Sequence, residues 1–286
     1  MNLDVVPAIA ELRERLSPRR RTGSIGFVPT MGALHEGHAR LIDRARSECA
    51  TVVVSIFVNP LQFDRPDDLA NYPKTLDADL DLCRAHGVDM VFAPSAPELY
   101  PQPPLCTVRV ERLADHLCGR YRPGHFAGVA TVVLKLLAIV QPDRAYFGEK
   151  DAQQLAIVER LVADFNLPVE IVPVPTVRAA DGLAISSRNQ HLDARGRALA
   201  PALYRALQKA DRQIAAGESN VASIVAAAAQ EVPRADDVRL EYLEVVDPAE
   251  LQPVRSVGGP VRVAGALWIG RTRLIDNILS TPPSKK

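Results

Sequence analysis

The sequence predicts an α/β fold in which a doubly wound parallel sheet is followed by a smaller α+β part. Two observations in the first 174 residues favour the parallel sheet: short apolar runs alternate with segments of helical periodicity, and the runs are continuous in Val and Ile. Continuous apolar runs are expected for strands that helices cover on both faces. After Val174 the pattern changes to a polar connection, two helical segments and further strand-like runs, which predicts a second layer arrangement.

The first part is expected to contain strands joined by helices. The strands are predicted at Ile25 to Val28, Thr51 to Val58, Met90 to Ala93, Ala145 to Phe147 and Val169 to Val174. The helices are predicted at His38 to Cys49, Leu76 to His86, Val129 to Val140 and Gln153 to Phe165. In the last helix one face is apolar, formed by Leu155, Val158, Leu161, Val162 and Phe165. This alternation predicts a Rossmann-like order of strands.

The second part begins with a polar connection from Pro175 to Asn189. A helix follows whose apolar residues recur at helical spacing, namely Leu199, Leu203, Leu207, Ala210 and Ile214. A second helix is predicted at Val221 to Glu231, and strands at Leu240 to Val246, Val261 to Trp268 and Thr272 to Ile275. We therefore expect a domain boundary near Val177, giving domains 1–176 and 177–286, with a frayed tail from Thr281 to Lys286.

Composition excludes several classes of protein. The chain has 286 residues, which favours two domains, and its 34 Lys plus Arg balance 34 Asp plus Glu. No nucleic-acid partner is expected, because phosphate tracking requires a basic excess. The four cysteines form no C-x-x-C pair, so neither a zinc ribbon nor a disulfide framework is predicted and a cytoplasmic location fits best. The apolar runs are too short to span a bilayer, so no membrane partner is expected.

Three consecutive arginines, residues 19–21, raise the alternative of a twin-arginine export signal. Such a signal would continue into an apolar segment, whereas the chain continues into the polar stretch from Pro29 to His38. We therefore expect the arginines to lie in a solvated loop before the first strand.

The segment from Pro29 to His38, PTMGALHEGH, joins a predicted strand to a predicted helix. The amino end of a helix offers unpaired amides and the positive end of the dipole, which suits a nucleotide phosphate. His35 and His38 are three residues apart, so they can share one helix face and point at the same phosphates. The alternative for such a pair is capping or surface packing. Gly32 and Gly37 would let the backbone approach a nucleotide closely.

Two further segments carry polar and cationic residues at predicted strand ends or turns. Gly148-Glu149-Lys150-Asp151 follows a short strand and precedes a helix, so it lies at the sheet edge where open α/β folds bind ligands. Lys150 would place its charge on a phosphoryl group, while Asp151 would contact a ribose or cap the helix. Ile185-Ser186-Ser187-Arg188-Asn189 combines hydroxyls with a guanidinium that can hold phosphates. Its alternative is an ordinary interdomain linker.

Together with Val58 to Phe63, VNPLQF, these segments resemble the pantothenate synthetase family, AMP-forming ligases that join pantoate to β-alanine. The segments occur in the family's order, and the match extends from about Ile25 to Asn277. The resemblance implies ATP as co-substrate with Mg²⁺, a homodimer, and an acyl-adenylate intermediate. It also implies that the first domain binds ATP and pantoate while the second covers the active site.

The resemblance implies a role for each matching residue. His38 would be the proton donor and His35 its partner on the phosphates, with Lys150, Ser186, Ser187 and Arg188 completing the catalytic set. The remaining residues implied to bind ATP are Pro29, Thr30, Met31, Gly32, Ala33, Leu34, Glu36, Gly37, Gly148, Glu149, Asp151, Val177 and Ile185. Pantoate and β-alanine would be held by the amides of Asn59, Gln62 and Gln154, because neutral amides bind a hydroxy acid without quenching the nucleophile.

Some residues remain without an assigned function. The acidic stretch of Asp64, Asp67, Asp68, Asp77, Asp79 and Asp81 is expected to decorate a solvated loop and helix start, so no protein ligand to Mg²⁺ is named. His125 lies in a family-like segment, R-P-G-H-F, but the sequence assigns it no role.

Two alternative functions are considered. A nucleotidylyltransferase of the same superfamily would transfer AMP permanently to a phosphate-bearing substrate. An RNA-binding module would keep the fold without catalysis, but zero net charge and 5% aromatic residues disfavour it, because single-strand binders combine basic grooves with stacking rings.

Overall fold

The computed structural model describes residues 3–283. They form two compact units that are each interrupted in sequence. The first unit comprises Met1–Val110, Arg122–Glu149 and Ile157–Pro175 within the described range, and the second comprises Glu111–Tyr121, Lys150–Ala156 and Thr176–Lys286. A single domain boundary near Val177 stays a prediction, because such units are sets of neighbouring residues and need not fold independently. Of the expected tail, residues 281–283 have no regular structure, and residues 284–286 lie outside the described residues.

The first unit contains a six-stranded parallel sheet. Its strands are β1 Asp4–Val6, β2 Ile25–Thr30, β3 Thr51–Ile56, β4 Met90–Phe92, β5 Arg144–Gly148 and β6 Glu170–Val174, in the order β1-β4-β3-β2-β5-β6. From β2 the chain builds outward through β3 and β4, and then returns to add β5 and β6 on the other side. The strand order therefore reverses between β2 and β5, and the crevice beyond the carboxyl ends of these strands is where open α/β sheets bind ligands.

The helices of residues 3–283 are divided between the two units. In chain order they are α1 Ile9–Arg20, α2 Glu36–Glu48, α3 Pro66–Ala70, α4 Leu76–Ala85, α5 Ala96–Leu99, α6 Leu117–Tyr121, α7 His125–Val140, α8 Ala152–Asp164, α9 Ala194–Leu199, α10 Ala202–Ala215 and α11 Val221–Ala229. The central strands are buried almost without exception, as helices on both sheet faces require. None of these helices in the described range combines the length and the apolar character that crossing a bilayer takes.

The second unit contains a three-stranded antiparallel sheet, β7 Val238–Val246, β8 Val261–Ile269 and β9 Thr272–Ser280, in the order β7-β8-β9. One face of α10 packs against it through Leu207, Ala210 and Ile214. The fold class predicted from the sequence, a Rossmann-like parallel sheet followed by a smaller α+β part, is therefore confirmed.

Two predicted helices need correction. The helix expected to run through Leu199 and Ile214 is two helices, α9 and α10, because Pro201 has no backbone N–H and cannot donate the hydrogen bond that would continue α9. The spacing places Phe165 on the buried face of α8, but this residue lies beyond the end of that helix and is 54% exposed.

The amino-terminal segment also differs from expectation. The arginines at 19–21 do not form a solvated loop before β2: Arg19 and Arg20 belong to the last turn of α1. The guanidinium of Arg20 donates to the carbonyls of Val140 and Gln141 at the end of α7, which satisfies carbonyls that the helix leaves unpaired. Helix α1 escapes detection because only Leu12 and Leu16 are buried along its length.

Candidate active site

The loop after β2 crosses the point where the strand order reverses. Thr30, the last residue of β2, donates from its hydroxyl to the carbonyl of Ser55 at 2.7 Å and accepts from the amide of Gly32 at 3.2 Å. The loop is thereby tied to the carboxyl end of β3. Gly32 and Ala33 both have left-handed backbones, with φ of 82° and 50°, so the chain turns sharply before α2 begins.

The buried carboxylate of Asp79, on α4, holds this turn. Its oxygens accept from the amide of Ala33 at 3.0 Å and from the amide of Leu34 at 2.7 Å. Thr75 adds a hydroxyl bond at 3.2 Å, and Asp79 is only 2% exposed. The expectation of a solvated acidic stretch is therefore wrong for Asp79, although it describes Asp67, Asp77 and Asp81, which are exposed.

His35 and His38 cap the helix that carries them. The Nδ1 atom of His35 accepts from the amide of Gly37 at 3.1 Å, and Nδ1 of His38 accepts from the amide of His35 at 3.3 Å. Because an amide can only donate, each neutral ring must carry its proton on Nε2. The capping alternative and the phosphate-binding prediction are thus compatible, since the cap uses one ring nitrogen and makes the other a donor.

The two imidazoles lie side by side, with ring centroids 4.1 Å apart and planes inclined by 41°. Gly37 permits this arrangement, because a Cβ atom there would lie 2.9 Å from Cε1 of His35. The sequence explains Gly37 by close approach of a nucleotide, whereas the neighbour observed is the His35 ring. Glu36, the first residue of α2, is exposed.

The side chains of Asn59 and Gln62 are buried beyond the end of β3. Asn59 donates to Oε1 of Gln62 at 3.0 Å and to the carbonyl of Gly128 at 3.1 Å, and it accepts from the amide of Leu61 and the hydroxyl of Tyr100. These bonds use both protons and both lone pairs of its amide. Burial raises the pKa of Tyr100 to about 12, which keeps its phenol a donor to Asn59.

Gln62 connects this cluster to the loop after β2, since its Nε2 lies 3.1 Å from the sulfur of Met31. The main-chain carbonyl of Gln62 accepts from Nδ1 of His125 at 2.7 Å and from Nη2 of Arg122 at 3.4 Å. The side chain of Arg122 also contacts Nε2 of His125 at 3.1 Å. His125, to which the sequence assigns no role, therefore fixes the backbone of Gln62.

Asp64 completes this contact network in the first unit. Its carboxylate accepts from Nε of Arg122 at 2.9 Å. Burial alone would raise the pKa of Asp64, but the charge and hydrogen bond of the Arg122 guanidinium outweigh it, so the pKa lies below its usual value. The ionised carboxylate in turn holds Arg122 against the Gln62 carbonyl.

In the second unit, Lys150 lies in a 3₁₀ turn, Glu149–Asp151, that follows Gly148 at the end of β5. Its side chain is 18% exposed, and its ammonium lies 3.7 Å from the carboxylate of Asp151. Gln154, one turn into α8, is half-buried. Its neighbour Gln153 donates to two carbonyls of the second unit, those of Leu113 and His116, each at 2.8 Å.

Val177 and Ile185 face each other across a short hairpin, with the amide of Ile185 donating to the carbonyl of Val177 at 2.9 Å. The chain then enters a 3₁₀ turn, Ser187–His191, that Ser186 caps by accepting from the amide of Arg188 at 3.3 Å. Asn189 returns a bond to the amide of Ser186. The segment from Ser186 to Asn189 is therefore a capping box, and both the phosphate-binding prediction and the linker alternative stay open.

Each unit thus brings together part of the predicted site. In the first, the loop from Pro29 to His38 and the Asn59–Gln62 turn meet at the ends of β2 and β3. In the second, the Lys150 turn and the hairpin that leads to the Ser186–Arg188 turn both contact β9. That the two parts converge on one triphosphate, and that these residues are the functional ones, stays a prediction.

An open parallel sheet whose strand order reverses beside a helix amino end that carries two imidazoles defines a class, the Rossmann-like α/β proteins that bind ligands at that edge of the sheet. A family model described as pantoate-beta-alanine ligase matches residues 4–279. The chain therefore belongs to the pantoate-β-alanine ligase family.

Individual relatives agree over nearly the whole chain. The pantothenate synthetase of Geobacillus kaustophilus (strain HTA426) is 50% identical over 280 residues, covering 98% of this chain and 93% of that protein. The crystal structure of pantothenate synthetase from Thermus thermophilus superposes with a TM-score of 0.92 at 46% identity, covering 98% of this chain and 100% of that one.

A third structure, pantoate-beta-alanine ligase from Francisella tularensis complexed with beta-gamma ATP and beta-alanine, matches with a TM-score of 0.81 at 36% identity. It covers 97% of this chain and 98% of that one. The bifunctional pantoate ligase/cytidylate kinase of Synechococcus elongatus is 55% identical over 259 residues, which is 90% of this chain. This chain spans about half the length of such bifunctional relatives, covering 49% of that protein.

We expect Asp79→Asn to destabilise the protein. The amide would place an NH₂ group against one of two backbone N–H donors, leaving a buried donor unpaired at a cost of about 1–3 kcal/mol. Urea unfolding would measure the loss. Asp81→Asn is the matched control, since its carboxylate is 77% exposed on the same helix. Equal unfolding midpoints for the two variants would contradict this role of Asp79.

Gly128→Ala is expected to displace the turn that carries Gln62. An added Cβ would lie 2.2 Å from the carbonyl oxygen of Leu61 and 2.7 Å from the amide nitrogen of Gln62, and backbone atoms cannot rotate away. Overpacking of this kind typically costs about 1–3 kcal/mol. Calorimetric unfolding would measure it against Gly258→Ala, where an added Cβ meets no atom within 4 Å. Indistinguishable midpoints would refute the packing argument.

Proposed function

We propose that this protein is an ATP-dependent ligase that condenses pantoate with β-alanine to pantothenate, through a pantoyl adenylate, with release of pyrophosphate and AMP. The observation that carries the proposal is the pair of Nε2-protonated imidazoles at the amino end of α2, where the strand order reverses. The family match over residues 4–279 supports the substrates. The Francisella relative is described as a complex with beta-gamma ATP and beta-alanine, which supports both ligands here.

In the first step the pantoate carboxylate attacks the α-phosphorus of ATP. An oxygen–phosphorus bond forms, the bond to the β-phosphate oxygen breaks, and pyrophosphate leaves with that electron pair. Negative charge grows on phosphate oxygens, so positioned donors contribute most of the catalysis. The Nε2–H of His38 donates to the phosphate that departs, His35 assists on the same phosphates, and Lys150, Ser186, Ser187 and Arg188 balance the remaining charge.

Pantoate is held by amides beyond the end of β3. The Oε1 atom of Gln62 accepts one hydrogen bond from Asn59, and its Nε2 directs one N–H at the sulfur of Met31. The second lone pair of Oε1 would accept from a substrate hydroxyl, and the second N–H would donate to a hydroxyl or the carboxylate. Asn59 already makes four bonds within the protein, so a direct bond from Asn59 to pantoate would require one of them to be given up. We assign Asn59 chiefly to positioning Gln62, and Gln154 to the substrate's other end.

In the second step the amine of β-alanine attacks the acyl carbon of the adenylate. The carbon–nitrogen bond forms, AMP leaves with the electrons of the acyl–phosphate bond, and the proton that the amine loses is released to solvent. Magnesium enters as part of MgATP. Within residues 3–283 no group of three His, Cys, Asp or Glu side chains could hold a metal. The carboxylate of Asp79 accepts hydrogen bonds from two backbone amides. We therefore assign the ligands of the ion mainly to phosphate oxygens and water. A homodimer rests on the family resemblance, and a cytoplasmic location rests on the scattered cysteines of the sequence.

The proposal predicts exchange of labelled pyrophosphate into ATP that requires pantoate and needs no amine. Adding β-alanine should then yield pantothenate and free AMP in equal amounts, measured by mass spectrometry. A stable dinucleotide in place of free AMP would identify a nucleotidylyltransferase instead. Absence of exchange at saturating MgATP and pantoate would refute the adenylate step.

Two substitutions at His38 separate its cap from its chemistry. His38→Asn keeps an oxygen near the position of Nδ1, so it can still accept from the amide of His35, but it lacks Nε2. We expect His38→Asn to keep the unfolding midpoint of the wild type and to lower the exchange rate by about 10² to 10⁴, the range for a lost general acid. His38→Gln is the matched comparison, since its amide lies near the position of Nε2 but it has no atom that can replace Nδ1 as the cap. It should therefore lower the unfolding midpoint, which His38→Asn should not. Full activity in His38→Asn would remove Nε2 from the mechanism.

A further inference from the structure

Two neighbouring residues of β9 contact both cation-bearing segments of the second unit. Asp276 is the partner of Arg178 in the hairpin that leads to Ser186, and Asn277 is a partner of the turn at Lys150. The sequence assigns a function to neither, since both fall beyond the strand predicted at Thr272 to Ile275.

The first contact is a buried, two-pronged ion pair. Arg178 donates from Nη1 to Oδ2 of Asp276 at 2.5 Å and from Nη2 to Oδ1 at 2.9 Å, and Asp276 has a side chain that is 3% exposed. The same guanidinium donates to the carbonyl of Gly182 at 3.1 Å and stacks on Tyr204, 3.9 Å from the ring centroid. Forked pairing fixes orientation as well as distance, so the hairpin has one position relative to β9.

The second contact is a hydrogen bond from a side-chain amide to the main chain. Nδ2 of Asn277 donates to the carbonyl of Lys150 at 3.0 Å, while its Oδ1 accepts from Arg262. The bond fixes the Lys150 backbone and leaves the ammonium for other contacts. Because Asp276 and Asn277 are adjacent on β9, they anchor the hairpin and the Lys150 turn to one strand, from its opposite faces.

We propose that Asp276 and Asn277 are positioning residues, which hold Lys150 and the Ser186–Arg188 turn at the spacing that the triphosphate requires. The inference rests on the proposed ligase function, in which both segments bind phosphate. A misplacement of about 1 Å in such a group can cost about 100-fold in rate, so these contacts matter although neither residue touches substrate.

The test is a crossed set of double mutants measured by pantoate-dependent pyrophosphate exchange. Asn277→Asp is isosteric, keeps the acceptor for Arg262 and replaces the donor to Lys150 by an acceptor. Arg178→Lys keeps the charge beside Asp276 but loses the fork. Each should lower kcat for exchange by about 10- to 100-fold. When Lys150→Met is already present, adding Asn277→Asp should change kcat for exchange by no more than about twofold. When Arg188→Ala is already present, adding Arg178→Lys should likewise change kcat by no more than about twofold.

The opposite combinations serve as controls. Asn277→Asp with Arg188→Ala, and Arg178→Lys with Lys150→Met, should show effects that multiply within about twofold. A merely structural role would give the same fold-loss in every background, and that outcome would overturn the proposal.

A second measurement does not depend on activity. Hydrogen–deuterium exchange should become faster in peptides covering residues 148–152 in Asn277→Asp and 178–189 in Arg178→Lys, with β3 unchanged in both. Unchanged protection of these peptides would overturn the proposal whatever the wild type catalyses. Faster exchange in a wild type that lacks pyrophosphate exchange would instead show that the ligase function, and not the positioning contact, is wrong.

Discussion

The candidate site in the first unit depends on one interaction, the bond between the buried carboxylate of Asp79 and the amides of Ala33 and Leu34. The loop after β2 must reverse within a few residues, through two left-handed positions of which one is not glycine. A left-handed non-glycine residue is strained and persists only where its surroundings hold it. Two short bonds to a desolvated carboxylate provide that constraint, and the start of α2 with its two imidazoles follows from it.

Much of the fold could be predicted because its signals are local. Continuous Val and Ile runs identify the central strands, and helical periodicity identifies α2, α4, α7 and α8. Elements with few buried residues escaped, as α1 shows with only Leu12 and Leu16 inside. The carboxyl half of β9 was not predicted for the opposite reason, because its buried residues include Asp276 and Asn277. A strand whose buried side chains are polar and hydrogen-bonded within the protein lacks the apolar pattern by which strands are predicted.

The candidate site divides in the same way. The segments at Pro29–His38, Gly148–Asp151 and Ile185–Asn189 are visible in sequence because their residue types and spacing suit phosphate. The residues that support them are not, since Asp79 stands among exposed aspartates and the carbonyl that His125 binds lies far from it in the chain. Their function exists only through contacts between residues distant in sequence, 45 positions from Leu34 to Asp79 and 63 from Gln62 to His125, and one sequence carries no signal for such pairs.

Three of the supporting contacts share one property, because each binds main-chain atoms. Asp79 accepts from two amides, His125 donates to the carbonyl of Gln62, and Asn277 donates to the carbonyl of Lys150. A hydrogen bond to the main chain of a residue fixes the position of its Cα atom and leaves the polar group of its side chain available for a ligand. The imidazole pair follows the same logic, since backbone amides occupy Nδ1 and thereby place the proton on Nε2. Each part of the candidate site therefore gains rigidity from the backbone and keeps its side-chain donors for a ligand.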